Sequence, residues 1–428
     1  MKKIFLSLML ATALFQANGQ TTREEMLQSP EKCGGVYFAY PVTESVNTAP
    51  PKGYKPFYAS HYGRHGSRYL ISDEDYSRVL DVMKKAHDAK ALTPLGEDIY
   101  SRLQQVWAEA EGRGGKLSPL GYRQHRAIAQ RMYDAYPEVF AGDPVMTARS
   151  TQVMRCAHSM FAFVDALKEK NPSMTVPLES NKRNMSYLCY STPESWAFND
   201  NQRDEWRPEF TKFKASHINP DRMMSALFNS PDYIRRHINP SDLMWGFYWI
   251  AIDMQNMETP VSFFDLFEGD ELFDLWQVFN TDFYIHNSSY PRSKGVNVDN
   301  AKNLLKNILT TADEYIANGN HGATLRFGHD GNIVPLAALM RFPGCYGYEN
   351  DLDKVYTAWA DYKVSPMASN MQMIFFRDKK GDILVKVMMN EREVTLPIDS
   401  PTAPFYPWNQ LRDYFQHLID TPSADFMK

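Results

Sequence analysis

Residues 57–68 have the sequence Phe57-Tyr58-Ala59-Ser60-His61-Tyr62-Gly63-Arg64-His65-Gly66-Ser67-Arg68, and they decide how the rest of the chain is interpreted. The apolar beginning predicts a β-strand over 57–62, and a histidine between two arginines follows it. A planar guanidinium group can bind two phosphate oxygens at once, and an imidazole among such groups can attack phosphorus. The run therefore indicates a histidine that handles phosphate groups. The alternative is a basic surface patch around a structural histidine.

The composition is that of an ordinary globular protein, with 43% hydrophobic and 23% charged residues. A length of 428 residues predicts two or three domains. The formal net charge of −5 argues against a nucleic-acid partner, which would need a basic face, but it allows a local basic pocket for an anion. Nothing in the composition points to an obligate protein partner.

The first 19 residues have the pattern of a signal peptide. Lys2 and Lys3 precede an apolar run over 4–15, and Ala17 and Gly19 are the small residues before a cleavage site after Gly19. The run is too short to span a bilayer, and no later segment is long and apolar enough to do so. We expect an exported protein, periplasmic or secreted, without membrane insertion. Loss of both lysines would bring its formal net charge to −7.

The chain has four cysteines, Cys33, Cys156, Cys189 and Cys345. In an oxidising compartment they could form two disulfides, in any of three pairings. None of the spacings is a Cys-x-x-Cys pair, so we expect no zinc site.

Strands and helices alternate along much of the chain. Thr93-Pro94 and Ser118-Pro119 each place a capping hydroxyl before a proline, which is typical of helix starts, and Ser72 with Asp75 has the spacing of a capping box. This alternation predicts an α/β fold, in which helices cover both faces of a mainly parallel sheet. The predicted helices cover about 72–89, 93–111, 118–136, 151–169 and 299–318, and the predicted strands cover 57–62, 145–148, 323–327, 371–377 and 383–389, the last two as a hairpin.

Between about 175 and 299 the alternation gives way to short, aromatic-rich helical segments, for example Met244-Trp245-Gly246-Phe247-Tyr248-Trp249. We interpret this stretch as a smaller all-α cap inserted into the α/β core, with the aromatic cluster in the cap interior. The predicted domains are a core of 20–174 and 300–428 and a cap of 175–299. Lys182 and Arg183, at the start of the cap, could reach an anionic ligand.

Three polar segments each follow a predicted strand. They are Arg64-His65-Gly66-Ser67-Arg68, the stretch from Arg149 to Arg155, and His329-Asp330. In open α/β sheets, ligands bind at the carboxyl ends of the strands, so these distant segments can meet in one cleft.

With these segments in view, the chain resembles the acid phosphatase branch of the histidine phosphatases. The matching motifs are Arg-His-Gly-x-Arg at 64–68, Leu-Ser-Pro-Leu-Gly-Tyr-Arg-Gln at 117–124, Arg-Ser-Thr-x-x-x-Arg at 149–155, and the His329-Asp330 pair. The resemblance implies a three-layer αβα core like that of phosphoglycerate mutases.

Within this branch, the chain is most similar to the multiple inositol polyphosphate phosphatases. The similarity is carried by Arg68-Tyr69, Phe327-Gly328-His329 and Pro335-Leu336. The chain departs from the family at Leu70, where a proline is usual, and from the subgroup at His329-Asp330-Gly331, which has the phytase and acid phosphatase form.

The resemblance implies a role for each matched residue. His65 would attack phosphorus and form a phosphohistidine, and Asp330 would protonate the leaving oxygen and then activate water. No metal or other cofactor is required, because arginines supply the positive charge. The phosphate oxygens would be held by Arg64, Arg68, Arg155 and His329, with Arg149 as a competitor of Arg155.

The function implied is hydrolysis of small-molecule phosphate monoesters, in the first place inositol polyphosphates. A broad-specificity acid phosphatase is a second possibility, and a phosphoglycerate-mutase-type phosphotransferase is a weaker one, because its usual substrates lie inside the cell. A non-catalytic binder of phosphorylated ligands is the non-enzymatic alternative, and the presence of both His65 and Asp330 counts against it.

Overall fold

The structure is a computed structural model that describes residues 22–42, 46–200 and 206–427. A central sheet runs through this part of the chain in the order β3-β2-β4-β1-β5-β6-β7, with β8 paired to β6. The strands are β1 (Lys55–Arg64), β2 (Val145–Ser150), β3 (Leu178–Ser180), β4 (Gly322–Gly328), β5 (Asn370–Arg377), β6 (Ile383–Met389), β7 (Arg392–Glu393) and β8 (Phe405–Pro407).

The four strands β3, β2, β4 and β1 are parallel, whereas β5 to β8 are joined antiparallel at the other end of the sheet. In register, Arg64 at the end of β1 lies opposite Gly328 at the end of β4. Ser150 at the end of β2 lies opposite Phe327 of β4. The carboxyl ends of β1, β2 and β4 therefore meet at one edge, which brings the segments after them together.

Helices cover both faces of the sheet and form a further layer beside it. Two of them begin as the sequence predicts, because Thr93 accepts a hydrogen bond from Gly96 N–H and Ser118 accepts one from Gly121 N–H. The helices used below are α1 (Glu74–Asp88), α2 (Pro94–Ala110), α3 (Pro119–Ala135), α4 (Met154–Lys170), α5 (Asp221–Leu227), α6 (Pro240–Asp253), α7 (Gly269–Asn287), α8 (Lys302–Ala317), α9 (Asp330–Leu339) and α10 (Trp408–Asp420).

Further helices occupy other parts of the described chain. They are Met185–Leu188, Pro193–Asp200, Trp206–Ser216, Pro231–His237, Val296–Asp299, Val355–Ala358 and Asp361–Val364, and a 3₁₀ helix covers Pro30–Tyr37.

The capping box predicted at Ser72 and Asp75 is only half formed. Asp75 accepts a hydrogen bond from Ser72 N–H at 2.9 Å, but α1 begins after Asp73, whose side chain makes no capping bond. The Asp73 carboxylate instead accepts hydrogen bonds from the N–H groups of Gly112 and Gly114. It therefore fixes the turn after α2 rather than the start of α1.

Two hydrophobic clusters pack against the sheet, one on each face. Helices α3 and α4 cover the face that presents Ala59 and Phe327. Helices α8, α9 and α10 cover the face that presents Tyr58 and Phe375. The three-layer αβα arrangement that the resemblance implied is therefore present, and its burial of apolar surface on both faces is the main stabilising term.

The third hydrophobic cluster forms the helical layer, which extends beyond the predicted cap. It joins α5, α6 and α7, all within 175–299, with α1, α2 and the Pro30–Tyr37 segment from the N-terminal part of the chain. Trp245 and Trp249 of α6 are half-buried and pack against this cluster. The domain boundaries at 175 and 299 remain a prediction, and the packing shows that residues 74–110 share the interior of the helical layer.

The predicted signal peptide lies outside the described residues. No helix in the described ranges is long and apolar enough to cross a membrane. All four cysteines are free thiols, so the structure contains neither of the two disulfides that their number allowed.

Candidate active site

His65 lies directly after β1 and is almost completely buried. Its Nδ1 atom is 2.9 Å from the carbonyl oxygen of Gly66. A carbonyl oxygen only accepts, so Nδ1 carries the proton and the lone pair is on Nε2. Burial, together with the charges of Arg64 and Arg155, holds the pKa of His65 well below its usual range. His65 is therefore a neutral imidazole with an available Nε2 even at acid pH.

Arg64 is fully buried behind this histidine. Its Nη1 donates to the backbone carbonyls of Val36 and of Ser365, the latter at 2.8 Å, and its Nη2 is 2.6 Å from Asp330 Oδ2. Burial lowers the pKa of Arg64 to about 10 although Asp330 opposes this, so the group stays charged at neutral and acid pH. The ion pair joins the end of β1 to the start of α9.

Asp330 is the first residue of α9, and its side chain keeps about a quarter of its surface exposed (24%). Its Oδ1 accepts a hydrogen bond from Gly331 N–H at 2.8 Å. Burial alone would raise the pKa of this carboxyl, but Arg64, His329 and the Gly331 N–H group lower it below its ordinary value. In the protein without a bound anion, Asp330 is therefore a carboxylate.

Arg68 is held from one side by Tyr37, which belongs to the Pro30–Tyr37 segment. Its Nη2 donates to the Tyr37 hydroxyl at 3.0 Å, and the guanidinium carbon lies 4.6 Å from the centre of the Tyr37 ring. Its Nη1 donates to the Tyr69 carbonyl. Burial opposes the charge of Arg68, but Tyr37 and the Asp253 carboxylate more than offset it and raise its pKa. Arg68 is thus charged, and its Nε is buried without a hydrogen-bond partner.

Arg155 and His329 complete the cluster. The Nε of Arg155 is buried without a partner, and burial and the charge of Arg68 lower the pKa of this arginine. His329 lies 5.7 Å from His65 between ring centres, and its Nε2 is 3.1 Å from Thr151 Oγ1. Burial and Arg155 lower the pKa of His329 to about 4, so it is neutral above that pH. Cys156 packs beneath this ring, with Sγ 3.6 Å from Nε2.

Arg149 is the predicted residue that the structure does not bring into this cluster. Its Nε pairs with Glu179 at 3.1 Å across the β2–β3 register. Because side chains alternate across a strand, the Arg149 side chain and its neighbour Ala148 point to opposite faces. Of the two arginines that the sequence left as competitors, Arg155 is the one beside Arg64, Arg68 and His65.

A close approach of two backbones fixes the loop that carries His65 and Arg68. A Cβ atom added at Gly66 would lie 2.6 Å from the Gly121 oxygen, and one added at Gly121 would lie 2.2 Å from the Ser67 oxygen. Gln124 then accepts a hydrogen bond from Ser67 N–H at 2.8 Å and donates to Ser67 Oγ at 2.9 Å. These contacts give the 117–124 motif its role: it positions the loop without contacting the anion site.

Three residues of this region were not singled out from the sequence. Tyr37 contacts Arg68, and Asp253 and Asn256 at the end of α6 lie behind the loop. Each belongs to a segment with no motif, so only packing brings it here. Within the described residues, no group of three or more His, Cys, Asp or Glu side chains could hold a metal ion.

The assembled site is suited to an anion with a reactive phosphorus atom. Three buried or half-buried guanidinium groups surround one neutral imidazole, and one carboxyl lies at the open side. Charge-assisted hydrogen bonds from fixed arginines are strong in such a desolvated place. The arrangement can therefore bind a phosphoryl group, present a nucleophile to it and move one proton.

Comparison with known proteins agrees with this chemistry. The model of the histidine phosphatase superfamily (branch 2) matches residues 63–390. No curated protein matches the chain at the sequence level. Among solved structures, a multiple inositol polyphosphate phosphatase from Bifidobacterium longum in complex with inositol hexasulfate has a TM-score of 0.75 at 17% identity, and covers 90% of this chain and 97% of its own.

A phytase from D. castellii has a TM-score of 0.66 at 14% identity, with 91% and 85% of the two chains covered, and a phytase from Klebsiella sp ASR1 has 0.53 at 14%, with 87% and 98% covered. At these identities the likeness shows the fold, which is that of the histidine acid phosphatases. The family match spans most of the chain and includes the His65 and Asp330 segments. The chain belongs to branch 2 of the histidine phosphatase superfamily, and it is a phosphatase.

Proposed function

We propose that the protein hydrolyses organic phosphate monoesters through a phosphohistidine on His65. The observation that carries the proposal is the hydrogen bond from His65 Nδ1 to the Gly66 carbonyl, which leaves Nε2 unprotonated among Arg64, Arg68 and Arg155. Nε2 attacks phosphorus in line with the ester oxygen, so a P–N bond forms as the P–O bond breaks. The arginines and His329 stabilise the charge on the other oxygens.

Asp330 supplies the proton that the leaving oxygen needs. An ester bound beside Arg64 shares that guanidinium with Asp330 and adds negative charge next to the carboxyl. Both effects raise the pKa of Asp330, so it takes up the proton that it then donates. In the second half-reaction the carboxylate accepts a proton from water, the water oxygen attacks phosphorus, and the P–N bond breaks to release phosphate and neutral His65.

Inositol polyphosphates are the substrate class that we propose first. The support is the fold shared with the inositol polyphosphate phosphatase of B. longum, which was crystallised with inositol hexasulfate, and the motif similarity at Arg68-Tyr69. Arg183, one of the two cations at the start of the predicted cap, is exposed and already pairs with Glu179 at 3.4 Å. Lys182 is its neighbour in the same short helix.

A broad-specificity acid phosphatase is the second candidate, and the surroundings of Tyr37 favour it. The Tyr37 ring, which supports Arg68, lies 5.5 Å from Trp249 and 6.2 Å from Phe279 between ring centres. An aromatic cluster beside Arg68 would give a leaving group apolar contact rather than cations. Rates that depend little on the number of phosphates would follow from it.

The test is phosphate release from inositol hexakisphosphate, a sugar phosphate and an aryl phosphate at acid and neutral pH, with His65→Ala as the control. A marked preference for the inositol substrate supports the first candidate, and similar rates on all three support the second. Rapid quenching in acid-free denaturant with labelled substrate should trap a phosphoenzyme in the native sequence and none in His65→Ala. Turnover that persists in His65→Ala would refute the nucleophile assignment.

We further propose that the protein is exported to the periplasm or secreted. The support is the signal-peptide pattern of residues 1–19. Mass spectrometry of the N-terminus of the protein made in its own cells tests this. The expected mature chain begins at Gln20, and an uncleaved Met1 would contradict export by this route.

A further inference from the structure

A buried carboxyl behind the arginine loop is not used in the proposed reaction. Asp253 is the last residue of α6 and is fully buried. Its Oδ2 accepts a hydrogen bond from the Tyr76 hydroxyl at 2.5 Å, and its Oδ1 accepts one from Asn256 Nδ2 at 3.3 Å. Burial of a carboxylate without partners destabilises a fold, and the hydrogen bonds from Tyr76 and Asn256 offset this cost for Asp253.

Both donors also hold the loop on which Arg68 lies. The Tyr76 oxygen accepts a hydrogen bond from Leu70 N–H at 2.8 Å, two residues after Arg68. Asn256 Oδ1 accepts one from Ser67 Oγ at 2.7 Å, one residue before it. Asp253 is thus the common acceptor for two side chains, of which one binds the backbone N–H of Leu70 and the other the hydroxyl of Ser67, on either side of Arg68.

The same network reaches Arg68 by a third route. Asn256 Nδ2 donates to the backbone carbonyl of Tyr37 at 2.9 Å, and the Tyr37 hydroxyl accepts from Arg68 Nη2 at 3.0 Å. Asn256 therefore fixes the main chain of Tyr37 and also contacts Asp253. The Arg68 guanidinium depends on this support because its remaining fixed contact is the carbonyl of the adjacent residue.

Charge acts in the same direction as geometry. Burial raises the pKa of Asp253 to about 7, while Tyr76, Arg68 and Asn256 favour its carboxylate form. Conversely, Asp253 raises the pKa of Arg68 against the effect of burial. The interaction between the two groups is therefore mutual, as for any pair of opposite charges in a region of low dielectric.

We infer that Asp253 is a positioning residue for phosphate binding: through Tyr76 and Asn256 it holds the Arg68 loop in the geometry that receives the phosphoryl group. This inference rests on the proposed function, because it assigns Arg68 to phosphate binding. Asp253 does not touch the substrate. It acts on the affinity of the site, since Arg68 contacts phosphate oxygens in the bound ester and in the transition state alike.

The experiment compares Asp253→Asn and Tyr76→Phe with the native sequence. Tyr76 and Asn256 donate to different oxygens of Asp253, and asparagine has nearly the same shape but an acceptor at only one of these two positions, so it cannot accept both bonds in the native geometry. Tyr76→Phe keeps the ring and removes one arm of the network. Asp313→Asn is the matched control, because Asp313 holds Arg412 and Trp408 on the far helix α10. For each protein we would measure the dissociation constant of inorganic phosphate by calorimetry, kcat and KM for an aryl phosphate, and the thermal midpoint.

We expect the phosphate dissociation constant and KM to rise about tenfold in Asp253→Asn, which corresponds to about 1.4 kcal/mol. A smaller rise is expected in Tyr76→Phe, with kcat changing less than threefold in both and no change in Asp313→Asn. If Asp253→Asn does not fold, Tyr76→Phe decides. A lowered thermal midpoint with unchanged phosphate affinity would show a merely structural role and overturn the inference.

The proposed function can fail separately. If the native protein binds phosphate but releases none from any ester, the proposed hydrolysis is refuted and the dissociation constants still decide the role of Asp253. If the native protein does not bind phosphate, both the proposed function and this inference are overturned.

Discussion

Replacing His125 by leucine is expected to make the protein more resistant to acid. His125 lies on α3, is almost fully buried, and packs near Phe163 and Phe327, at 6.4 and 5.7 Å between ring centres. Both of its ring nitrogens are buried. Burial lowers the pKa of His125 from 6.5 to about 3, with the backbone of Arg64 opposing this in part. His61, packed at a tilt against the same phenylalanines, has its pKa lowered to about 3 by burial and by His125.

The sign of the effect follows from proton uptake. Below pH 6.5 the unfolded chain binds a proton at position 125, whereas the folded chain stays neutral until about pH 3. The contribution of neutral His125 to the free energy of unfolding is therefore fully present above pH 6.5 and is lost as the pH falls toward 3. Between pH 7 and 4.5 this single imidazole lowers the free energy of unfolding by about 2.5 kcal/mol. A folded-state pKa anywhere below 4 gives nearly the same loss, because the unfolded state sets it.

The assay is urea unfolding followed by tryptophan fluorescence at pH 7 and 4.5. The free energy of unfolding of His125→Leu should fall by about 2.5 kcal/mol less than that of the native protein over this interval. Met132→Leu, a buried substitution on the same helix, should keep the native dependence. Parallel curves for His125→Leu and the native protein would contradict this prediction, since they would mean that His125 takes up its proton in the folded state.

Three further predictions concern the site and its loop. Arg155→Gln should weaken phosphate binding about 10- to 100-fold, as expected for a charge-assisted contact, while Arg149→Gln should leave it unchanged. Calorimetric titration with phosphate checks this, and equal losses would contradict the placement of the two arginines. Asp330→Asn should slow hydrolysis of alkyl phosphates by about 10²- to 10⁴-fold and that of activated aryl phosphates far less, because only a poor leaving group needs the proton; steady-state rates on both substrates decide, and equal losses would remove Asp330 from the acid role. Gly66→Ala should lower the thermal midpoint and the activity together, since its Cβ would lie 2.6 Å from the Gly121 oxygen, and a native-like midpoint in differential scanning fluorimetry would show that the two backbones can separate.

The sequence predicts those elements of the fold that depend on local signals. Thr93-Pro94 and Ser118-Pro119 start their helices as predicted, because a capping hydroxyl and a proline act within one turn. The strand predicted over 323–327 is observed at Gly322–Gly328, and the predicted hairpin is observed as β5 and β6. Periodicity and turn residues suffice for such elements.

The sequence does not predict contacts that depend on strand register or on packing between distant segments. Arg149 and Arg155 are both arginines of one motif, but Arg149 lies on β2 with its side chain paired to Glu179, whereas Arg155 lies in the first turn of α4. Tyr37 reaches Arg68 because the Pro30–Tyr37 segment packs into the helical layer, and no motif marks it. For the same reason the sequence does not reveal that the apolar faces of α1 and α2 meet α5 and α6. The partner of an apolar stripe is a property of the whole fold.

In the proposed mechanism, activity at acid pH and binding of the anion have one physical origin. His65 has to be neutral to attack, and burial together with Arg64 and Arg155 keeps its pKa well below the usual range of histidine. The same charges would bind the phosphoryl group. Removing one of them should therefore change two properties at once: in Arg155→Gln the pKa of His65 rises, so the acid limb of the kcat/KM profile should move to higher pH while affinity falls. A rate profile from pH 3 to 7 on an aryl phosphate measures this, with Arg149→Gln as the control. An unmoved acid limb with weakened binding would separate the two roles and show that burial alone keeps His65 neutral.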